Sequence, residues 1–434
     1  NRHWREPYFS VETNITMAWV CSGPEASHSE MEKMGKLLPQ GLRLIFDVNP
    51  VREDDESALF RDETYMETSS VRHSCFETQP TLRYIMTSYS HTVFRCIRTL
   101  FRITDDDFRR SVCSSDAIRG GTVGEGNSNQ MFFFSRDGTV LFKTLHSHEA
   151  QTLRHLLKDY LRYLREDQWI SGTLLPRFFG LYQIRVIGGQ PPVIFTAMNN
   201  VLYVNRPIRA KYDLKGSSWG RYTEHASEQP DVSVLLKDQN FSSVGLPTSV
   251  QACAPAPPLP ADKKLRVSAQ NRSCLLAQLK ADCDWLRAHN LMDYSLLVGV
   301  ADVHGTHWPT SPSQAASPPE PFSRYASSGS SKDDHRVSFS SAIAHVNSDM
   351  VSKHTHEEVW MHGSIIVESG DGSDLYVVGL VDVLQTFSTR KVGEWLIKSA
   401  VSVLRGGDPN AASAVPPDAY AERMLNYIRQ CIVD

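Results

Sequence analysis

Four charged side chains sit where charge is either costly or useful: Lys143, Lys215, Asp293 and Asp382. Lys143 ends the apolar run Val140, Leu141, Phe142, and Glu149 follows at the start of a helix-periodic stretch. Ahead of them lie Gly120, Gly121, Gly124 and Gly126, whose bare backbone lets N–H groups approach the oxygens of a phosphate. Lys215 stands beside Gly216, Ser217 and Ser218, after Arg206, Arg209 and Lys211, so side-chain and backbone donors together could hold a phosphate there. Asp293 comes just before the apolar run Leu296, Leu297, Val298. Asp382 falls inside another apolar run, residues 375–384, where a carboxylate is expensive unless it is paired or binds a metal. A phosphate cradle, cations against developing charge, a carboxylate for a divalent cation and an acid to orient a hydroxyl are the parts that phosphoryl transfer needs.

Each feature has a plainer reading. Glycine-rich hairpins are mostly turns, and Lys215 could belong to a basic loop. Lys143 and Glu149 could be a surface lysine and a helix-start acid favoured by the macrodipole. Asp382 could be satisfied by backbone N–H groups. Spacing alone leaves both sets of readings open.

The elements that must position these residues show in the hydrophobic pattern. Before residue 81 the periodicity is weak, and only residues 41–48 are expected as a strand. Leu82, Ile85, Met86, Tyr89, Val93, Ile97, Leu100 and Phe101 recur at helical spacing, and this helix is expected to end near Asp105, Asp106 and Asp107. Two short strands, 131–134 and 140–142, flank the hairpin signal Arg136, Asp137, Gly138. A helix follows with Ala150, Leu153, Leu156, Leu157, Tyr160, Leu161 and Leu164 on one face, then paired strands at 177–186 and 193–198 across Gly188 and Gly189. The second half mixes strands and helices around two low-complexity insertions, 245–262 and 304–353, which cannot bury enough apolar surface to offset their ordering entropy. His345, His354, His356 and His362 could be imagined as metal ligands, but acidic and cysteine partners at ligand spacing are missing and a solvated loop is expected.

At 434 residues the chain exceeds one typical domain, so two lobes, or one domain with long insertions, are expected. A formal charge of −4 argues against a general nucleic-acid binder. The eight cysteines are scattered without a Cys-x-x-Cys pair, which suits a reducing, cytosolic setting. No apolar run approaches the roughly 18–20 residues that span a bilayer, so any membrane contact is expected to be peripheral. The chain opens on Asn1, so an upstream signal or lipidation site stays open, and Asn14-Ile15-Thr16 matches a glycosylation triplet that is common by chance.

Several blocks, in this order, resemble signatures of the phosphatidylinositol-phosphate kinases: Tyr212-Asp213-Leu214-Lys215-Gly216-Ser217, Met292-Asp293-Tyr294-Ser295-Leu296-Leu297-Val298-Gly299, Val381-Asp382-Val383-Leu384-Gln385 and Tyr420-Ala421-Glu422-Arg423. The resemblance runs from about residue 82 to the C-terminus, skipping the insertions. It implies an α+β, two-lobed fold with a protein-kinase-like core: an antiparallel-sheet N-lobe over residues 81–200, a mixed C-lobe over 201–434, and an unassigned segment before them. The implied reaction moves the γ-phosphoryl group of ATP, with Mg²⁺, onto the 5-hydroxyl of phosphatidylinositol 4-phosphate, on the cytosolic face of membranes such as the plasma membrane. A phosphatidylinositol 5-phosphate 4-kinase, or a catalytically weak phosphoinositide-binding scaffold, is the alternative. A homodimer is left open, and no nucleic-acid partner is implied.

By the same resemblance, Gly126 and Lys143 would hold ATP phosphates, with Glu149 as the lysine's helix partner. Asn200, Val201 and Leu202 would line the adenine hinge. Lys215 would touch the transferring phosphate, Asp293 would orient the lipid hydroxyl and Asp382 would hold Mg²⁺. Glu394 and Lys398 would set lipid choice within a specificity loop over 386–417. The glycine loop departs from the family's usual Gly-x-Ser-Gly-Ser, reading Gly126-Asn127-Ser128-Asn129-Gln130, and Arg405 is the only basic residue between Lys398 and Tyr420.

Overall fold

The computed structural model describes residues 24–51, 55–78, 80–113, 118–123, 130–165, 172–189, 191–204, 206, 208–217, 221–223, 234–241, 264–302, 365–388, 391–393 and 415–434. Helices α1 (Pro24–Val48), α2 (Asp55–Ala58) and α3 (Asp62–Met66) lead into β1 (Thr68–Cys75), β2 (Leu82–Tyr89), α4 (His91–Leu100) and α5 (Asp105–Val112). Next come β3 (Ile118–Val123), β4 (Met131–Ser135), β5 (Val140–Leu145), α6 (Ser147–Arg165), β6 (Phe178–Val186) and β7 (Val193–Asn199). The remainder comprises β8 (Ile208–Leu214), β9 (Leu235–Lys237), α7 (Asp238–Phe241), β10 (Leu265–Arg266), α8 (Ala269–Ala288), β11 (Ser295–Asp302), β12 (Ile365–Glu368), β13 (Asp374–Val381), α9 (Pro417–Cys431) and β14 (Ile432–Val433).

Two sheets organise these elements. The first is antiparallel, in the order β1-β2-β6-β7-β5-β4-β3. The second, β12-β13-β11-β8-β9, is mixed, because β8 and β9 run parallel while the other neighbours are antiparallel. A parallel pair, β10 with β14, ties the start of α8 to the chain's end. One continuous apolar core runs through both sheets and includes Phe142 and Leu181 of the first with Leu296 and Leu380 of the second. This mixed α/β arrangement fits a two-lobed fold.

The expected helix α6 forms, and its seven apolar residues are all buried. The turn after β4 forms at Gly138, with φ +74°, and the β6–β7 hairpin turns at Gly188, with φ +75°. Residues 41–48, expected as a strand, are instead the end of α1. Leu37, Leu38, Leu42, Ile45 and Phe46 are buried at helical spacing, a stripe that appears only when the window begins before Gly41. The expected long helix over 82–101 also fails in its first half, which is strand β2. Apolar residues at 82, 85, 86 and 89 suit either period, but burial alternates through Tyr84, Met86 and Ser88, as on a strand. Ser90, at φ +48°, separates β2 from α4. The acidic run at 105–107 opens α5 rather than closing a helix. Thr104 and Asp107 form a capping box there, which satisfies two amides that the first turn would leave unpaired. The insertions at 245–262 and 304–353, with their histidines, and residues 1–23 lie outside the described residues.

Candidate active site

Lys215 and Asp293 come from neighbouring strands. Leu214 of β8 stands opposite Leu296 of β11, so the residues just beyond these two leave the sheet at one edge. Lys215 Nζ donates to Asp293 Oδ1 at 2.8 Å and to its carbonyl oxygen at 2.6 Å. Beneath the pair, buried Asp238 at the start of α7 accepts from Lys215 N at 2.8 Å and Gly216 N at 2.7 Å, both on Oδ1. Its Oδ2 takes Arg221 Nε at 2.6 Å, and Arg221 Nη2 continues to Asp213 Oδ2 at 2.9 Å. Gly216 has φ +69°, and a Cβ there would come within 3.0 Å of Tyr427 Cβ, so only glycine suits this turn. The backbone donors of Lys215 and Gly216 are thus engaged by Asp238, contrary to the expectation that they would join in holding a phosphate. The Lys215 ammonium is left for that task.

Lys143 lies on β5 of the first sheet, with its side chain only 8% exposed. Its Nζ forms an ion pair with Asp382 Oδ1, not with Glu149 as expected. Glu149 Oε2 accepts instead from His146 N at 2.8 Å and Gln130 Nε2 at 2.9 Å, and so closes the first turn of α6. A carboxylate at the third helical position satisfies a free amide directly, which explains why Glu149 turns back rather than towards the lysine. Burial would lower the Lys143 pKa, but Asp382 and then Glu149 outweigh it and hold the ammonium charged above its usual range.

Asp382 follows the last residue of β13 rather than lying within the strand, and its side chain remains 54% exposed. Partial dehydration in the cleft would raise its pKa. The Lys143 ammonium, with a further contribution from Lys215, holds the carboxyl below the ordinary range. Lys215 therefore stands within electrostatic reach of both aspartates.

Asp293 has φ +65° and Asp382 φ +60°. Left-handed backbone at a non-glycine residue costs about 1 kcal/mol or more, and such strain gathers at functional sites. Their two loops are laced together: Met292 N donates to Gln385 O at 2.9 Å, and Phe387 N to Asn290 O at 3.0 Å. Tyr420 of α9 donates its hydroxyl to the Tyr294 carbonyl, and the two rings meet edge to face at 4.8 Å. That contact gives the Tyr420–Arg423 block a place beside Asp293.

Asn200, Val201 and Leu202 follow β7 and bridge to the second sheet. Asn200 Nδ2 donates to Gly138 O at 2.9 Å, and Leu202 N donates to Asn200 Oδ1 at 3.2 Å. Gly379 of β13 and Gly299 of β11 make room for this connector. A Cβ at Gly379 would lie 2.8 Å from Val201 Cγ1, and one at Gly299 would lie 2.9 Å from Leu202 Cδ2. Two glycines that weaken their strands are therefore explained by close approach.

The structure brings Lys143, Asp382, Lys215 and Asp293 together, and sets Val201 and Leu202 against the second sheet while Asn200 bonds to the β4–β5 hairpin. Gly120 and Gly121 fall at a register shift between β3 and β4. Gly126, Glu394, Lys398 and most of the 386–417 loop lie outside the described residues. The sequence reading missed Asp238 and Arg221, which hold the backbone of Lys215. Asp238 had one local sign, an acid between the apolar Leu236 and Phe241, while Arg221 had none.

The family model described as Phosphatidylinositol-4-phosphate 5-Kinase matches residues 114–431. A probable phosphatidylinositol phosphate kinase of Dictyostelium discoideum is 30% identical over 368 residues, covering 79% of this chain and 47% of that protein. A phosphatidylinositol 4-phosphate 5-kinase type-1 beta of Gallus gallus is 28% identical over 347 residues, 79% of this chain and 57% of its own length. A phosphatidylinositol 5-phosphate 4-kinase type-2 alpha of Homo sapiens is also 28% identical, covering 78% of this chain and 76% of its own length. Equal identity to a 5-kinase and a 4-kinase does not choose between them. The chain spans about half the length of the first curated relatives it matches.

Proposed function

This chain belongs to the phosphatidylinositol-4-phosphate 5-kinase family, and on that premise we propose that it is a lipid kinase transferring the γ-phosphoryl group of ATP to phosphatidylinositol 4-phosphate. The observation that carries this reading is the meeting of two lysine–aspartate pairs, Lys143 with Asp382 and Lys215 with Asp293, whose aspartates stand in loops bonded to each other. The lysines offset charge on the transferring phosphoryl oxygens, and Asp293 orients the ring hydroxyl and accepts its proton as the new P–O bond forms and the bond to ADP breaks. The connector at 200–202 lies against β11 and β13 and offers a bed for the adenine.

Among the described residues no group of three or more His, Cys, Asp or Glu side chains could hold a metal ion unaided. Mg²⁺ nonetheless suits Asp382, since that ion is commonly held by one or two carboxylates plus phosphate oxygens and water. Asp382 is half-open to the cleft and would hold it. The ion would supply neutralisation of phosphate charge. Lys143 would release Asp382 as the nucleotide phosphates arrive to compete for the ammonium.

The choice of the 4-phosphorylated lipid rests on Glu394, whose counterpart in the family goes with that preference, with Lys398 four positions on in the sequence. The acceptor is a bilayer lipid, so we place the working enzyme peripherally on the cytosolic face of membranes, the plasma membrane first. Among the described residues, no helix is long and apolar enough to cross a membrane. The test is to incubate the purified chain with ATP, Mg²⁺ and vesicles carrying each monophosphorylated phosphatidylinositol in turn. Phosphorylation of the 4-phosphate at its 5-hydroxyl is expected. Preference for the 5-phosphate would make it a 4-kinase, and binding without turnover would leave a scaffold.

A further inference from the structure

Asp282 lies on α8, fully buried, and the mechanism above gives it no part. Its Oδ1 accepts from Tyr163 Oη at 2.7 Å, Thr173 Oγ1 at 2.8 Å and Gln278 Nε2 at 3.2 Å, while its Oδ2 accepts Leu174 N at 2.7 Å. Among the described residues no lysine or arginine pairs with it. A buried carboxylate without a counter-charge is expensive, even when hydrogen-bonded, so a plain packing role accounts for it poorly.

Leu174 supplies the link. Its N–H goes to Asp282, and its carbonyl accepts from Leu380 N at 2.7 Å. Leu380 is the penultimate residue of β13, two before Asp382. One edge of β13 is held by β11 along its whole length, through Ser295 opposite Val381. The other edge is held by β12, but that pairing extends only as far as Val378. Beyond Val378, Leu174 replaces β12 as the neighbour of the strand end. The same Asp282 carboxylate also fixes Tyr163 near the end of α6, whose Leu153, Leu156 and Tyr160 face Val383 and Leu384 just after Asp382.

We infer that Asp282 is a positioning residue for Asp382: through Leu174 and α6 it secures the chain on both sides of the left-handed turn that aims Asp382 at Lys143. The hydrogen-bond path stands on its own, and only its kinetic consequence rests on the kinase reading. A loosened strand end would let Asp382 drift from its place and weaken the hold on a divalent cation, while the Lys215–Asp293 pair keeps its own anchors, the Leu214–Leu296 register and Asp238.

The test uses the full chain. Asp282→Asn leaves one acceptor oxygen for four donors, and Tyr163→Phe removes one donor while sparing Leu174. Hydrogen exchange is followed at residues 172–176, at the end of β13 and, as an internal reference, in the β1–β2 pair. Asp282→Asn is expected to speed exchange at 172–176 and at the β13 end together, with the reference unchanged and Tyr163→Phe much milder. In the kinetic arm, the Mg²⁺ concentration for half-maximal rate should rise about tenfold, the lower end of the cost of losing a group that orients a metal ligand, with KM for lipid little altered. Should Asp282→Asn not fold, Asp282→Glu, which keeps the charge and displaces it by one methylene, is read the same way. Faster exchange at 172–176 with a fully protected β13 end would overturn the inference. A chain that phosphorylates no lipid would sink the kinase reading, yet the exchange result would still decide this one.

Discussion

Lys215 and Asp293 are brought together by neighbouring strands of one sheet, whereas Lys143 and Asp382 come from different sheets and meet in an ion pair between them. The first pair is set by strand register and clamped from below by Asp238. The second joins a nearly buried lysine to a half-open aspartate across 239 residues of sequence. Strand register is rigid because slipping by one residue turns every side chain to the other face. A contact between sheets has no such ratchet, so its geometry depends on the packing of the connector at 200–202 and of the strand end at Leu380. The comparison separates a fixed pair from an adjustable one, and on the proposed reading the first would orient the acceptor and the second would grip and release a nucleotide.

The largest effect should come from the adjustable pair itself. Lys143→Met and Asp382→Asn are each expected to lower kcat by about 10²-fold or more, the usual cost of one lost electrostatic partner in a preorganised site. The double variant should be little worse than either single one, because the two act as a unit. Initial rates on lipid vesicles, with circular dichroism to confirm folding, measure this. Near-normal turnover in a folded single variant would remove the pair from the active site.

Loosening the fixed pair from beneath comes next. Asp238→Asn leaves the Lys215 and Gly216 amides and the Arg221 guanidinium competing for one oxygen. It should cost about 10–100-fold in kcat through misplacement of Lys215, with KM for ATP almost unchanged. If KM for ATP rose in step with the loss in kcat, the two pairs would not be separable in the way described.

Gly379→Ala probes the connector. Its Cβ would lie 2.8 Å from Val201 Cγ1, so overpacking of about 1–3 kcal/mol is expected. A lower Tm and a severalfold higher KM for ATP should appear together, with KM for lipid unmoved. Unaltered nucleotide affinity would show that the connector does not border the ATP site.

The smallest effect is a difference in pH slope between the two halves. His91, on α4 against the first sheet, has its pKa pushed down to about 3 by burial and then by Arg98 and Arg95. Its contribution is present above the unfolded value near 6.5 and is lost as pH falls from there towards 3. Asp282 has its pKa pushed up to about 6 by burial, against the hydrogen bonds it accepts. Its contribution is therefore complete below the unfolded value near 3.8 and is lost as pH rises through 6. Each slope amounts to about 1 kcal/mol per pH unit. In thermal melts across pH 4 to 7, His91→Gln should flatten the fall on the acid side and Asp282→Asn the fall on rising pH. Identical slopes in the parent and both variants would contradict these assignments.

The four charged residues were singled out in the sequence by their places beside apolar runs and glycines, but spacing left their plainer readings open and only the signature blocks gave them roles. Helix α6 was legible from seven apolar residues on one face, and the β4–β5 turn from glycine. By contrast, α1 carries Gly35, Pro39 and Gly41 within its length, which reads as broken structure although tertiary contacts hold the helix together. Strand β2 was misread because apolar residues in so short a segment satisfy two periods, and only its partners β1 and β6 decide between them.

The amino-acid order by itself determined the local elements and the chemical kinds of residue on offer: two lysines, two aspartates and glycines where backbone must turn or approach. Such features depend on neighbours a few positions away, whose sterics and periodicity act within one turn or strand. Which lysine meets which aspartate was decided only by the tertiary structure. Glu149 lies six residues from Lys143 yet closes its own helix, while Asp382 lies 239 away and takes the ion pair. Asp282 shows the same dependence. It falls on the buried face of α8 with Leu275, Leu279 and Leu286, a position that marks it as unusual. Its meaning came from Leu174 and Tyr163, which reach it from over a hundred residues away. Hydrogen bonds and charge pairs act over a few ångströms of space, and only packing of the two sheets brings those groups within range.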